Sequence, residues 1–381
     1  MSKRLFLAVF ILLFGFVSSA HAQSGMPAPA APVIGAKSYL LIDARTGREL
    51  ASLDPDMSLA PASLTKIMTS YVVFKALEQD QIELEDEVTI SEKAWRMPGS
   101  RMFIEVGDRV TVHDLLMGMI IQSGNDASVA LAEHVAGTEE VFAQMMNQYA
   151  EQLGMHATHF VNATGMPADG HVTTARDLAT LARALIAEFP EHYAWHSIRE
   201  FTYNDITQSN RNTLLWRDPS VDGLKTGHTE EAGYCLVASA ERDGMRLVSV
   251  VLGTASDKAR ADGSQALLNY GFRFFETRLL YKAGEEVTTA RVWKSANETS
   301  RLGVFEDLYA TVRRGTYDEL ESTIDIPSVI EAPVAVGQPV AELRITHGED
   351  DILSTPLRAL DDNPVGSMWQ RVRDSVSLWF E

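Results

Sequence analysis

One cysteine, Cys235, stands in 381 residues. A lone cysteine closes no internal disulfide, so stability must come from the core. It lies in the apolar run GYCLVASA, where a buried, inert thiol is expected rather than a nucleophile. Basic residues are scarce: 33 Lys and Arg face 52 Asp and Glu, a net charge of −19. So acidic a body argues against nucleic acid as a partner and against electrostatic docking on anionic lipid. No apolar run beyond the N-terminus is long enough to span a bilayer. Internal repeats, a Gly-rich phosphate loop and a dinucleotide fingerprint are missing as well. His192 and His196 have i, i+4 spacing, but the Glu of H-E-x-x-H is absent, so no zinc site is expected.

The N-terminus supplies an address. Lys3 and Arg4 precede an apolar run from Leu5 to Val17, and Ala20-His21-Ala22 gives a small-x-small cleavage pattern. Residues 1–22 therefore read as a secretory signal peptide; an uncleaved anchor would want a longer apolar run. Losing Lys3 and Arg4 takes the net charge from −19 to −21. Residues 23–35, QSGMPAPAAPVIG, form a Pro/Ala/Gly linker expected to be mobile.

Residues 36–277 begin and end with hairpin patterns, turning near Thr46-Gly47 and Asp243-Gly244. Between them the spacing predicts a helix from Ser63 to about Gln79 and two more from His113 to about Ala136, broken at SGND. ARDLATLARALIAEF sets Leu178, Leu181, Leu185 and Ile186 on one helical face, and GSQALLNYGFRFFETRLL is expected to close the region as a helix. The pattern predicts an antiparallel sheet packed between helices. Residues 278–360 show short alternating runs with Gly and Pro punctuation, a small all-β domain.

Three short strings carry the chemistry. In PASLTKIMTS, Ser63 precedes Lys66 by one helical turn, so the two side chains share a face. Alone, this is an ordinary helix start. SGN at 123–125 could simply cap a helix, and KTG at 225–227 could be a strand with turn residues. Together, and in this order, they resemble the active-site serine penicillin-recognising enzymes. NRNTLLW, VDGLKTGHTEEAGY, GFRFFETR and FVNATGMPADGHVTTARDLA extend the resemblance, over nearly the whole mature chain, to the low-molecular-mass D-alanyl-D-alanine carboxypeptidases of the penicillin-binding protein 5 type.

That resemblance implies an α/β catalytic domain of the serine β-lactamase/transpeptidase type, a small all-β domain and a C-terminal amphipathic helix. It implies removal of the terminal D-alanine from peptidoglycan stem peptides through a Ser63 acyl-enzyme, acylation by β-lactams, and no cofactor or metal. Ser63 would be the nucleophile and Lys66 its base, neutral because desolvation and the charge of Lys225 lower its pKa. Ser123 would relay the proton and Asn125 hold the substrate amide. Lys225 and Thr226 would sit on an edge strand beside the substrate, with Gly227 allowing close approach. The N–H groups of Ser63 and His228 would bind the oxyanion. Arg260, with Arg211 nearby, would take the terminal carboxylate; a surface ion pair is the plain alternative for each. A DD-endopeptidase would use the same residues. Efficient β-lactamase activity is not expected, because HATHFVNATGMPADG offers no glutamate to activate water.

In the last stretch, 361–381, Val365, Met368, Trp369, Val372, Val376, Trp379 and Phe380 share one helical face, with Gln370, Arg371, Arg373, Asp374 and Ser377 on the others. Such a helix either docks on its own protein or lies in a membrane interface, and the aromatic residues favour the interface. The expected location is the periplasmic face of the inner membrane, attached peripherally.

Overall fold

The computed structural model describes residues 29–379, so the signal peptide, the start of the linker, and Phe380 with Glu381 lie outside the described residues. The sheet of the first domain has the order β2-β1-β5-β4-β3, all antiparallel, from β1 (Ser38–Asp43), β2 (Glu49–Leu53), β3 (Val221–Thr229), β4 (Gly233–Arg242) and β5 (Met245–Thr254). Strand alternation divides the core between its faces. Leu40, Ile42, Val248 and Val250 join one apolar cluster, while Tyr39, Leu41, Leu247 and Val251 join the other.

The first cluster packs against α1 (Thr65–Glu78), α2 (Val112–Met117), α3 (Asn125–Ala136), α4 (Glu139–Gln152) and α5 (Ala175–Glu188). Helix α1 is buried on nearly every side, from Thr65 through Phe74. It therefore lacks the polar stripe of a surface helix. Leu178, Leu181 and Leu185 of α5 are buried as the spacing requires. The second cluster is covered by α6 (Asp257–Phe274). Ala31 and Ile34 also pack there, and Tyr270 donates to the Pro29 carbonyl, so the described part of the linker is fastened to the domain.

The helix expected to run through FETRLL stops earlier. Asp257, capped by Ser256, starts α6, and Phe275–Tyr281 is a strand, β6, paired with β9 (Leu308–Arg313). The aromatic and β-favouring residues after Phe274 find cross-strand partners in the second domain, and that pairing overrides helix propensity. The second domain's sheet has the order β7-β8-β12-β11-β10, made of β7 (Glu286–Arg291), β8 (Thr299–Gly303), β10 (Glu321–Asp325), β11 (Pro339–His347) and β12 (Asp350–Ala359). At the junction, the buried Asp43 carboxylate accepts from Thr46 N (2.8 Å), Thr46 Oγ1 (2.9 Å) and Thr277 Oγ1 (2.6 Å). Thr311 Oγ1 bonds both threonines.

A final helix, α7 (Met368–Ser377), begins four residues after Pro364, because Ser367 and Gln370 form a capping box. Its polar side rests on the second domain: Asp374 is buried and accepts from Lys294 N at 2.7 Å. Its apolar side faces away, leaving Trp369 85% and Trp379 90% exposed.

Candidate active site

A 3-10 turn, Ala62–Leu64, delivers Ser63 to the head of α1, and Lys66 follows in the first helical turn. The Lys66 side chain is 1% exposed and has three partners: Ser63 Oγ at 3.0 Å, Asn125 Oδ1 at 2.7 Å and the Thr164 carbonyl at 2.6 Å. Asn125 is oriented by its own amide, which donates to Pro98 O at 2.7 Å. Burial lowers the Lys66 pKa to about 7; Asp126 opposes the shift and the Arg211 charge adds to it. Arg211 is a cation the sequence reading did not name here, and the expected Lys66–Lys225 repulsion is present as well, among the causes that lower Lys225. Asp126 itself accepts from the N–H groups of Met102, Phe103 and Ala127.

This contact set decides what a deprotonated Lys66 can do. As an ammonium it donates to all three oxygens. As an amine it keeps two N–H donors, and two of its partners are carbonyls that can only accept. Its lone pair is then left for the one partner with a hydrogen to give, Ser63 Oγ. Loss of one proton turns the serine hydroxyl toward its base.

Ser123 closes a π-helical turn, Gly118–Gln122, in the left-handed region at φ 67°. That turn breaks the helical run between α2 and α3 where SGND predicts a break. Ser123 Oγ is buried with no protein partner among the described residues. Lys225 is buried on β3 at the sheet edge, and its pKa is well below the usual lysine value through burial and the charges of Lys66, Arg211 and Arg260. Thr226 is buried beside it. Gly227 has a different neighbour from the one expected. A Cβ there would lie 3.1 Å from Pro61 O and 3.2 Å from Leu64 N, so the missing side chain lets β3 approach the Ser63 turn itself. His228 is exposed and packs on Tyr234, ring centroids 4.0 Å apart.

The two arginines differ. Arg260 is buried on α6, donating to Gly227 O at 3.1 Å and paired with Asp257. Arg211 is exposed, and its Nε donates to Gln122 O at 3.1 Å, next to Ser123 in the chain. Elsewhere, His192 stacks on Phe74 at 4.8 Å and buried His196 Nδ1 lies 3.3 Å from Leu224 O, so each of the spaced histidines has a packing role.

Two participants escape the sequence reading. Thr164 acts through its backbone carbonyl, which leaves no residue signature. Asp126 looks like a helix-start carboxylate; only its burial beside Lys66 reveals its electrostatic weight.

A D-alanyl-D-alanine carboxypeptidase family model matches residues 26–256, and a penicillin-binding protein 5 C-terminal domain model matches residues 275–364. The D-alanyl-D-alanine carboxypeptidase DacC of Escherichia coli is 43% identical over 381 residues, covering 98% of this chain and 94% of the relative. The crystal structure of penicillin-binding protein 5 from Haemophilus influenzae superposes with a TM-score of 0.86 at 41% identity, covering 88% of this chain and 99% of that one. Penicillin-binding protein D2 of Listeria monocytogenes, in its ampicillin-bound form, matches at TM-score 0.58 and 31% identity over 63% of this chain and 98% of that one.

Proposed function

The chain belongs to the D-alanyl-D-alanine carboxypeptidase family, and from that premise we propose that it removes the terminal D-alanine from peptidoglycan stem peptides through an acyl-enzyme on Ser63. Neutral Lys66 takes the Ser63 proton as Oγ attacks the penultimate D-alanyl carbonyl. The oxyanion is held by the N–H groups of Ser63 and His228. The C–N bond breaks, Ser123 passes the proton to the departing D-alanine amine, and water then hydrolyses the ester. Asn125, Lys225 and Thr226 line the cleft beside the substrate. Arg211 has donors to spare for the terminal carboxylate, while Arg260 holds the Gly227 carbonyl behind it.

β-Lactams acylate the same serine. Asp126, the carboxylate whose charge acts on Lys66, is engaged by backbone N–H groups and is not free to activate water on the ester. The penicilloyl enzyme should therefore persist.

The observation that carries this reading is the Lys66 contact set, two carbonyl acceptors and the Ser63 hydroxyl within 3.0 Å. The test is product analysis with a D-Ala-D-Ala-terminated pentapeptide, alongside mass spectrometry of penicillin-treated wild type and Ser63→Ala. Free D-alanine and a single adduct on wild type are expected. Cleavage of a cross-linked stem-peptide dimer, run in parallel, without D-alanine from the pentapeptide points to an endopeptidase, and equal labelling of both proteins removes Ser63 from the nucleophile role.

For location, the signal-like residues 1–22 support export, and the outward apolar side of α7 supports peripheral attachment to the periplasmic face of the inner membrane. No described helix is long and apolar enough to cross a membrane. The second domain then stands between bilayer and cleft.

A further inference from the structure

The segment from Phe160 to His171 fastens to the catalytic helix at four successive points. Gly165, at φ 81°, lies so close to the Ser63 turn that a Cβ would come within 1.8 Å of Ala62 O. The Thr164 carbonyl accepts from Lys66 at 2.6 Å and the Ala163 carbonyl from Thr69 at 2.7 Å. The fourth point is a side chain. His171 Nε2 lies 2.8 Å from Thr65 Oγ1, and its Nδ1 accepts the Val161 N–H at 2.9 Å.

The last contact fixes the tautomer. An N–H can only donate, so Nδ1 must carry the lone pair and the ring proton must sit on Nε2, where it donates to Thr65. The ring is buried and edge-on to Phe160, with centroids 5.9 Å apart. It ties Thr65, the residue before Lys66, to the start of the segment whose carbonyls hold Lys66 and Thr69.

We propose that His171, neutral and protonated at Nε2, is a positioning residue for the Lys66 base, clamping the Phe160–His171 segment onto the head of α1 so that the segment both holds and dehydrates the amine. The proposal rests on the Ser63–Lys66 reading but names a residue outside the three motifs. A second proton on the ring would set Nδ1–H against the Val161 N–H, two donors face to face, and open the clamp.

The surroundings favour the neutral ring. Burial holds the His171 pKa down at about 4, helped by His159 across the bridge to Val172. On α4, Glu139 is occupied by Ala163 N–H and Lys93; on α5, Asp177 is occupied by Ala157 N–H and Thr158. Asp169 stands two residues before His171 in the chain, and Lys66 follows Thr65 on α1. Since the folded value lies below the ordinary 6.5, the clamp's stabilisation is full above about pH 6.5 and is lost as pH falls through about 4.

Three proteins test this: wild type, His171→Ala and His171→Gln. Glutamine keeps one acceptor and one donor but does not titrate. Measured as the pH profile of penicillin acylation, His171→Ala should slow the reaction on the order of tenfold to a hundredfold. Its acid limb should also move to higher pH, because a hydrated Lys66 regains its ordinary basicity. His171→Gln should restore both the rate and the position of the limb. A folded His171→Ala with an unmoved limb, or a His171→Gln that behaves like it, overturns the clamp. Nitrogen NMR of wild type with labelled histidine reads the tautomer directly, whether or not the variants fold. An Nε2-protonated ring at pH 6 is expected; an Nδ1-protonated or cationic ring overturns the proposal. Wild type that takes no penicillin on Ser63 would sink the acyl-enzyme reading instead, and the tautomer would still decide the clamp.

Discussion

Helices α1 and α7 break the usual partition in opposite directions. Helix α1 lies inside the catalytic domain yet buries a lysine, and α7 lies on the surface yet exposes two tryptophans. A buried charge-bearing group and an exposed large apolar group are each expensive to keep, so each marks what its helix is for. On α1 the anomaly faces inward, toward the serine one turn earlier. On α7 it faces outward, away from the second domain. On the function proposed above, chemistry and attachment belong to separate helices in separate domains, which meet at the Asp43–Thr277–Thr311 junction.

The largest break in that comparison comes from removing the inward anomaly. Lys66→Ala should slow acylation by about 10³-fold, the scale of a positioned general base, while thermal unfolding stays cooperative. In wild type the acylation rate should rise through about pH 7, because the lowered pKa marks where the amine becomes neutral. A profile flat from acid to alkaline pH takes the base role away from Lys66.

The outward anomaly is next. Changing Trp369 and Trp379 together to Ser removes two aromatic side chains from any lipid contact, each worth ~2 kcal/mol of apolar burial. Affinity for phospholipid vesicles, read by sedimentation, should fall on the order of a thousandfold, with acylation of Ser63 unchanged. Because the attachment is apolar, high salt should leave wild type bound. Loss of binding in salt, or no loss in the variant, returns α7 to a purely structural part.

A smaller effect separates the arginines. If Arg211 meets the substrate carboxylate, Arg211→Ala should lower kcat/KM for a free-acid peptide about tenfold, one charged hydrogen-bond pair, and spare the amidated peptide. Arg260→Ala should weaken both substrates alike, since that guanidinium supports Gly227 from behind. The reverse pattern restores Arg260 to the position assigned from sequence.

What could be read from the sequence follows the same division. Ser63, Lys66, Ser123, Asn125, Lys225 and Thr226 were legible as candidates because each offers a polar side chain in short strings with fixed order. The two-domain layout was legible from the change in period after α6. The end of α6 was not, because Phe275–Tyr281 becomes a strand only through a partner about thirty residues later, Leu308–Arg313. Nor was the crowding at Gly227, where the close neighbour is Pro61 and Leu64. A glycine's reason lies in what approaches it, and approach is a property of the fold.

Asp374 offers the finest test, because it is to α7 what Lys66 is to α1: a buried side chain able to carry charge. Its carboxylate accepts from Lys294 N and from Arg373 Nε at 3.0 Å. Its work is docking. Removing one such bond costs about 1–2 kcal/mol locally, too little to unfold the second domain but enough to loosen one helix. Asp374→Ala should therefore raise hydrogen exchange across Met368–Ser377 by about tenfold and leave Ser63 acylation within twofold of wild type. Vesicle binding should persist, because the apolar side of the helix is intact. If acylation falls with helix protection, the two helices are coupled through the junction, and their separation of duties fails. If exchange does not change, Asp374 is not what seats the helix, and the capping box at Ser367 and Gln370 must hold it instead.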